Sequence, residues 1–253
     1  MTGEFTGKTV LVTGGAAGLG RGYALRFGRE GAHIILADIN EDGMAETKTL
    51  VEAAGGSAEW HRCDMSSEPD ILALGAAVCA AHPRLDVLIN NAGLHMGDIA
   101  RGFFGVGQAR WQHFFAVNVF SLLLLAEAVR PALKAAKGLI INKSSMASYQ
   151  PQTAYGMTKA TVNVFTHAMS AQFGVDEVRC VGIAPGLMET PASKEGVADD
   201  NWERIKGMQA VKRQGTTEDI ANLGYFLASN EGSFINGQVI LCDGGNAMRG
   251  FRM

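Results

Sequence analysis

Short apolar runs alternate with helix-patterned segments along the whole chain. Strand-like runs stand at Thr9–Val12, His33–Ala37, Ala58–Cys63, Val87–Asn90, Leu139–Asn142, Arg179–Ile183 and Val239–Cys242. Ile34-Ile35-Leu36 and Leu139-Ile140-Ile141 are apolar without interruption, as expected of strands covered on both faces. Segments long enough for crossover helices lie between them, at Leu19–Glu30, Glu41–Ala54, Pro69–Ala81, Arg110–Ala135 and Thr153–Phe173. This rhythm predicts an α/β fold: a single doubly wound parallel sheet of Rossmann type with helices on both faces. No linker, repeat or composition shift divides residues 1–253, so one domain is expected. The rhythm breaks between Pro185 and Thr217, where no strand is predicted. Long irregular connections in compact domains are commonly functional, and a substrate lid is expected at about 187–212.

Composition adds exclusions. With 22 Lys and Arg against 25 Asp and Glu, the net charge is −3, and no basic run offers a nucleic-acid surface. Cys63, Cys79, Cys180 and Cys242 are far apart and form no CxxC pair, so reduced thiols are expected. Met1 to Lys8 lacks the basic and apolar regions of a signal peptide. The apolar run near Leu122–Ala126 is too short to span a bilayer. These observations predict a cytoplasmic protein with neither a nucleic-acid nor a membrane partner.

The first strand runs into Thr13-Gly14-Gly15-Ala16-Ala17-Gly18-Leu19-Gly20, and a helix follows. Gly14, Gly18 and Gly20 would permit the sharp turn, the approach of a diphosphate and close helix–strand packing. The helix N-terminus would then offer free N–H groups to the phosphates. The second strand ends at Asp38, which can accept bonds from the two hydroxyls of an adenine ribose and would repel a 2′-phosphate. Positions 14–20 hold no Arg or Lys, and Ile39 and Asn40 add no positive charge. NAD is therefore expected in preference to NADP.

Ser144-Ser145 follow the fifth strand, and Tyr155 and Lys159 stand four residues apart, on one face of a helix. A phenol is a poor base at neutral pH, but a nearby ammonium stabilises the phenolate and lowers its pKa. With a serine hydroxyl to hold the substrate oxygen, this trio suits proton transfer at an alcohol while hydride moves to nicotinamide.

These elements occur together and in order. The chain resembles the short-chain dehydrogenase/reductase family from end to end. The resemblance rests on the glycine loop, Asp64 after the third strand, Asn90-Asn91-Ala92-Gly93, Asn118, Ser145, Tyr155 with Lys159, Pro185-Gly186 with Thr190, and Asp243-Gly244-Gly245. It implies Tyr155 as general acid/base, with Lys159 lowering its pKa and holding the nicotinamide ribose. Ser145 would orient the substrate oxygen, and Asn118 would help hold a water linking Lys159 to solvent. For the cofactor, it implies contacts from Leu19 and Ile39, and from Asp64 and Met65 at the adenine. Asn91, Ala92 and Gly93 would line the cleft, and Pro185, Gly186, Met188 and Thr190 would fix the nicotinamide. It also implies a homotetramer, or a homodimer, built partly from the helix carrying Tyr155. The Ser145–Tyr155 spacing is shorter than is usual in the family, and Ser144 is the alternative one residue earlier. Lys143 stands where an apolar or small residue is usual. It could reach an anionic substrate or extend outward with its head in water, and the outward course is expected.

Substrate contacts are expected from His95, Met96, Met146, Tyr149, Met188 and Trp202, a largely apolar and aromatic set. The expected reaction interconverts a secondary alcohol and a ketone, the substrate being hydrophobic, cyclic or aromatic. The His residues are scattered and no cluster has metal-ligand spacing, so no catalytic metal is expected. The competing reading is an NAD(H)-binding sensor or structural protein without turnover, for which the Ser–Tyr–Lys trio has no use. Lyases or epimerases of related type have a different glycine spacing, and enoyl reductases a longer Tyr–Lys separation.

Overall fold

Seven parallel strands form one sheet in the computed structural model, which describes residues 3–95, 97–100, 102–197 and 199–247. The strands are β1 (Thr9–Thr13), β2 (His33–Asp38), β3 (Ser57–Arg62), β4 (Val87–Asn90), β5 (Leu139–Lys143), β6 (Arg179–Pro185) and, last in sequence, β9 (Val239–Cys242). Their order across the sheet is β3-β2-β1-β4-β5-β6-β9. The chain leaves β1 toward β2 on one side and returns to place β4 on the other. Next to β1 the strand order reverses, so a crevice opens at the carboxyl ends of β1 and β4, where doubly wound proteins bind ligands.

Each central strand feeds two cores by simple alternation. Val10, Val12, Ile34, Leu36, Ile89 and Ile141 pack on one face. Leu11, Ile35, Leu88 and Ile140 pack on the other. This two-sided burial is why these strands read as unbroken apolar runs. The first face is covered by α1 (Gly18–Gly28), α2 (Glu41–Ala53) and α10 (Thr217–Ala228), which supply Tyr23, Phe27, Met44, Val51, Ile220 and Leu227. The second is covered by α3 (Glu68–Ala81), by the segment from α4 (Gln108–Phe115) through α5 (Ser121–Ala128) to α6 (Arg130–Ala136), and by α7 (Ala154–Gly174). Each buried Leu or Ile contributes about 1.5–3 kcal/mol.

Helix starts are chemically marked. Asn40 accepts from Gly43 N–H ahead of α2, Ser67 from Asp70 N–H ahead of α3, and Thr153 from Gly156 N–H ahead of α7. These side chains satisfy donors that the first turn leaves unpaired. The segment predicted as one helix over Arg110–Ala135 is instead three helices. A π turn at Ala116–Phe120 joins α4 to α5, and Pro131 helps begin α6 as a new helix. By length and composition Gln108–Ala128 could cross a membrane, which the short run at Leu122–Ala126 did not suggest. In the fold 44% of its most apolar 18-residue window is buried, and Leu122, Leu125 and Ala126 lie in the second core.

The region expected to hold no strand holds two short ones. β7 (Met188–Glu189) pairs in parallel with β8 (Gly215–Thr216). Two-residue ladders leave too little alternation to be seen in sequence. Between them lie α8 (Pro191–Gly196) and α9 (Asp199–Met208). The four cysteines are free thiols, and burial raises the pKa of Cys63 to about 11 and of Cys180 to about 12.

Candidate active site

A cavity of about 820 Å³ opens at the carboxyl ends of β1, β4, β5 and β6. It brings together Gly14, Gly18 and Leu19, Asn91 to Gly93, Ser145, Tyr155, Pro185, Gly186, Met188 and Thr190. One wall is the glycine loop. Gly14 and Gly18 have φ of +65° and +55°, a region that L side chains rarely adopt. Gly20 is needed for closeness: a Cβ there would lie 1.9 Å from the Gly14 carbonyl oxygen. Asn91 braces the loop by donating from Nδ2 to the carbonyls of Thr13 (2.8 Å) and Gly14 (3.1 Å). Thr13 returns the tie, its Oγ1 accepting from the N–H groups of Asn91 and Ala92, each at 3.0 Å. Thr13 is a positioning residue that sequence reasoning did not single out.

The start of α1 differs from those of α2, α3 and α7. Ala17 occupies the N-cap with a side chain that can accept nothing, and no acidic residue stands in the first turn. The positive end of this helix is left to face the cavity, which suits the diphosphate of a dinucleotide. At the end of β2, Asp38 accepts from Ala16 N–H and from Asn40 N–H, both at 3.1 Å. Its carboxylate is thus held against the glycine loop. Arg21, just beyond the loop, is a cation that the reading of positions 14–20 did not weigh. Its guanidinium is committed to the Ala16 carbonyl (2.7 Å), Glu46 (2.6 Å) and Thr47 (3.0 Å). Ile39 is exposed, and Asp64 accepts from the N–H and hydroxyl of Ser66, which lowers its pKa. Met65 differs from expectation: its side chain is buried in the second core and it is not among the residues lining the cavity.

The second wall carries the polar trio. Ser144 and Ser145 diverge as neighbours after a strand do. Ser144 Oγ turns to α7 and binds the Lys159 carbonyl and Asn163. Ser145 lines the cavity beside Tyr155, and its Oγ accepts from Ala147 N–H at 3.2 Å. Burial raises the Tyr155 pKa against the lowering effect of the Ser145 hydroxyl. Lys159 does not supply the depression expected of it in the protein alone. Its Nζ donates to the Lys143 carbonyl at 2.9 Å and stands 5.8 Å from the centre of the Tyr155 ring. Burial, and then the charge of Lys143, hold its own pKa well below the usual lysine value. A desolvated ammonium is disfavoured as much as a desolvated phenolate, and spacing in sequence carries no burial cost.

Asn118 sits in the π turn, not in a regular helix. Its Oδ1 accepts from Leu94 N–H at 2.7 Å, and its Nδ2 donates to the Leu94 carbonyl (2.9 Å) and to Thr158 (3.0 Å). These bonds commit the two donors of the carboxamide to anchoring the cleft loop on α7. Gly93 is needed beneath it, because a Cβ there would come within 3.0 Å of Asn118 Oδ1 and 3.5 Å of Lys159 Nζ.

Several substrate-contact expectations change. His95, Met146 and Met188 line the cavity. Burial and Lys143 lower the His95 pKa. Met96 lies outside the described residues. Tyr149 bonds the Val239 carbonyl at 3.3 Å and is not among the lining residues. Trp202 is absent from the lining too. Asn201 and Ile205, one turn apart on α9, face the cavity instead. Lys143 overturns its expected outward course: it lines the cavity, and burial lowers its pKa to about 8. The histidines scattered in sequence are not all apart in space. His33, Glu59 and His82 gather beside β2 and β3, with ligand-type atoms within 4.8 Å of one another, but none of them lines the cavity.

With this geometry established, the comparisons decide the family. The model described as enoyl-(acyl carrier protein) reductase matches residues 14–247. The 7alpha-hydroxysteroid dehydrogenase of Escherichia coli is 31% identical over 243 residues, covering 94% of each chain. The chain belongs to the short-chain dehydrogenase/reductase family. The 3-oxoacyl-acyl-carrier-protein reductase FabG of Chlamydia trachomatis is 34% identical over 254 residues, covering 98% of this chain and all of that one. A solved 7alpha-hydroxysteroid dehydrogenase complexed with NADH and 7-oxo glycochenodeoxycholic acid superposes with a TM-score of 0.89 at 30% identity, covering 95% of this chain and 94% of that one. The protein is therefore an oxidoreductase of the short-chain dehydrogenase/reductase family, whose members bind NAD(P)(H).

Proposed function

We propose that this short-chain dehydrogenase/reductase interconverts a secondary alcohol and a ketone with NAD as hydride carrier. The carrying observation is that Ser145 and Tyr155 line one wall of a cavity whose other wall is the uncapped, acid-free start of α1. When bound, the nicotinamide supplies the hydride acceptor or donor. Ser145 holds the substrate oxygen, and the Tyr155 hydroxyl, sharing that contact, gives a proton to it in reduction and takes one in oxidation. Lys159 would hold the nicotinamide ribose and stabilise the Tyr155 phenolate. Asn118 positions the Gly93–Leu94 loop against α7. The Asp38 carboxylate favours a free ribose 2′-hydroxyl over a 2′-phosphate, since Arg21 is occupied by Glu46.

The substrate reading is a hydrophobic, cyclic or aromatic ketone or alcohol, supported by Met146, Leu187, Met188, Val197 and Ile205 in the lining. The steroid named with the solved relative is a molecule of that shape. Tyr155 and Lys159 one helical turn apart support a carbonyl reaction over an enoyl one. A homotetramer or homodimer through α7 is supported by exposed Phe120, Met157 and Val164 on the faces of α7 and the adjoining π turn.

A panel of cyclic, aromatic and aliphatic secondary alcohols, followed by absorbance of the reduced nicotinamide, tests this reading. Oxidation with NAD should exceed oxidation with NADP and should rise with pH, because burial raises the Tyr155 pKa and oxidation needs the phenolate. Tyr155→Phe should lower kcat by about 100- to 10,000-fold with reduced-cofactor binding retained. Tight NADH binding without turnover of any panel member would support the sensor reading instead.

A further inference from the structure

Charge inside the cavity is lopsided. Lys143 ends β5, and Ser145 after it keeps an extended backbone with φ −165° and ψ 156°. Residues two apart on an extended chain face the same way, about 6.6 Å from each other. Lys143 therefore enters the cavity beside the serine, and the surface it retains faces that space. His95 lines the same end, and the Lys159 ammonium approaches from α7 to bind the Lys143 carbonyl. Against these three basic groups, Glu195 on α8 is the acidic member of the lining. It is exposed, and among the described residues no ion pair joins it to Lys143. A lysine enclosed by protein with no counter-charge among the described residues costs stability, and such arrangements concentrate where a site uses them.

We propose that the substrate carries a carboxylate close to the reacting carbonyl or alcohol carbon, and that Lys143 pairs with it while Ser145 and Tyr155 take the reacting oxygen. This rests on the carbonyl–alcohol reading above and narrows it to oxo acids and hydroxy acids with an apolar remainder. Lys143 is the specificity-determining residue. Its ammonium is shielded from water on the strand side, so a neutral analogue leaves the charge unpaired, and the site discriminates by that penalty as well as by the new contact.

The test is a matched pair, 3-oxocyclohexanecarboxylate and its methyl ester, reduced by the full-length protein with NADH. Wild type should favour the acid in kcat/KM by about tenfold or more, carried by KM. Lys143→Met should lose that preference, the acid falling far more than the ester, and Lys143→Arg should restore most of it. The acid-to-ester ratio should decline as pH passes about 8, where the Lys143 ammonium gives up its proton. Tyr155 acts on the reacting oxygen of both substrates and cancels in the ratio, and His95, its pKa lowered by burial, is neutral across that range. Lys159 is retained in Lys143→Met, so any pH dependence of the ratio that survives in that variant belongs to Lys159, and Glu195→Gln should leave the midpoint in place. A wild-type ratio near one, or a ratio that Lys143→Met leaves intact, overturns the proposal. If neither compound is reduced, the alcohol panel decides the carbonyl reading and melting decides this one. The acid but not the ester should raise the Tm of the NADH-bound protein, and Lys143→Met should abolish that difference. Equal effects of the two compounds overturn it.

Discussion

On the glycine-loop side of the cavity, Asn91 ties two carbonyls, Thr13 accepts two backbone N–H groups, and Gly20 leaves no room for a methyl group. Across the cavity, α9 buries none of its residues. It is moored mainly at its end, where the Ile205 carbonyl accepts from Asn246 at 3.0 Å and the Gly244 carbonyl from Ala210 N–H at 2.7 Å. One wall is over-determined and the other is lightly docked. The difference matches the tasks. A dinucleotide is the same molecule every turnover and rewards a rigid cradle, whereas a substrate must enter and leave.

Gly20→Ala attacks the rigid wall hardest. The new Cβ would meet backbone, which cannot step aside, so a loss of about 3 kcal/mol or more is expected, read as a fall in denaturation midpoint. NADH affinity should fall with it, and an unchanged Kd would show that the wall is not the cradle. Asn91→Ala should come next, at about 1–3 kcal/mol, because the loop carbonyls lose their donor. Ile205→Ser on the lightly docked wall should change stability by less than about 0.5 kcal/mol while raising substrate KM several-fold. A stability loss as large as that of Asn91→Ala would erase the contrast between the walls.

Much of the rigid wall was legible in sequence, because its reasons are local. A glycine loop between an apolar run and a helix states its own conformation, and the alternation of Val10, Leu11 and Val12 needs only a period of two. The other wall was less legible. Trp202 was chosen for its residue type, but the phase of α9 turns Asn201 and Ile205 inward, and phase is undefined until the helix has ends. Tyr149 was placed near the substrate by its proximity to Ser145, yet its hydroxyl has a partner on β9, ninety residues away in the chain. The β7–β8 ladder depends on pairing across an intervening pair of helices.

Spacing and periodicity alone determined the doubly wound sheet, the glycine turn and the order of Ser, Tyr and Lys along the chain. Only the tertiary structure decided that the Ser144 hydroxyl is spent on α7, that the Asn118 carboxamide is spent on Leu94 and Thr158, and that Lys143 points in rather than out. It also decided the direction of the Tyr155 and Lys159 pKa shifts. The physical reason is desolvation. A residue's type and neighbours in sequence set its intrinsic chemistry, but how much water it loses depends on every element that closes over it.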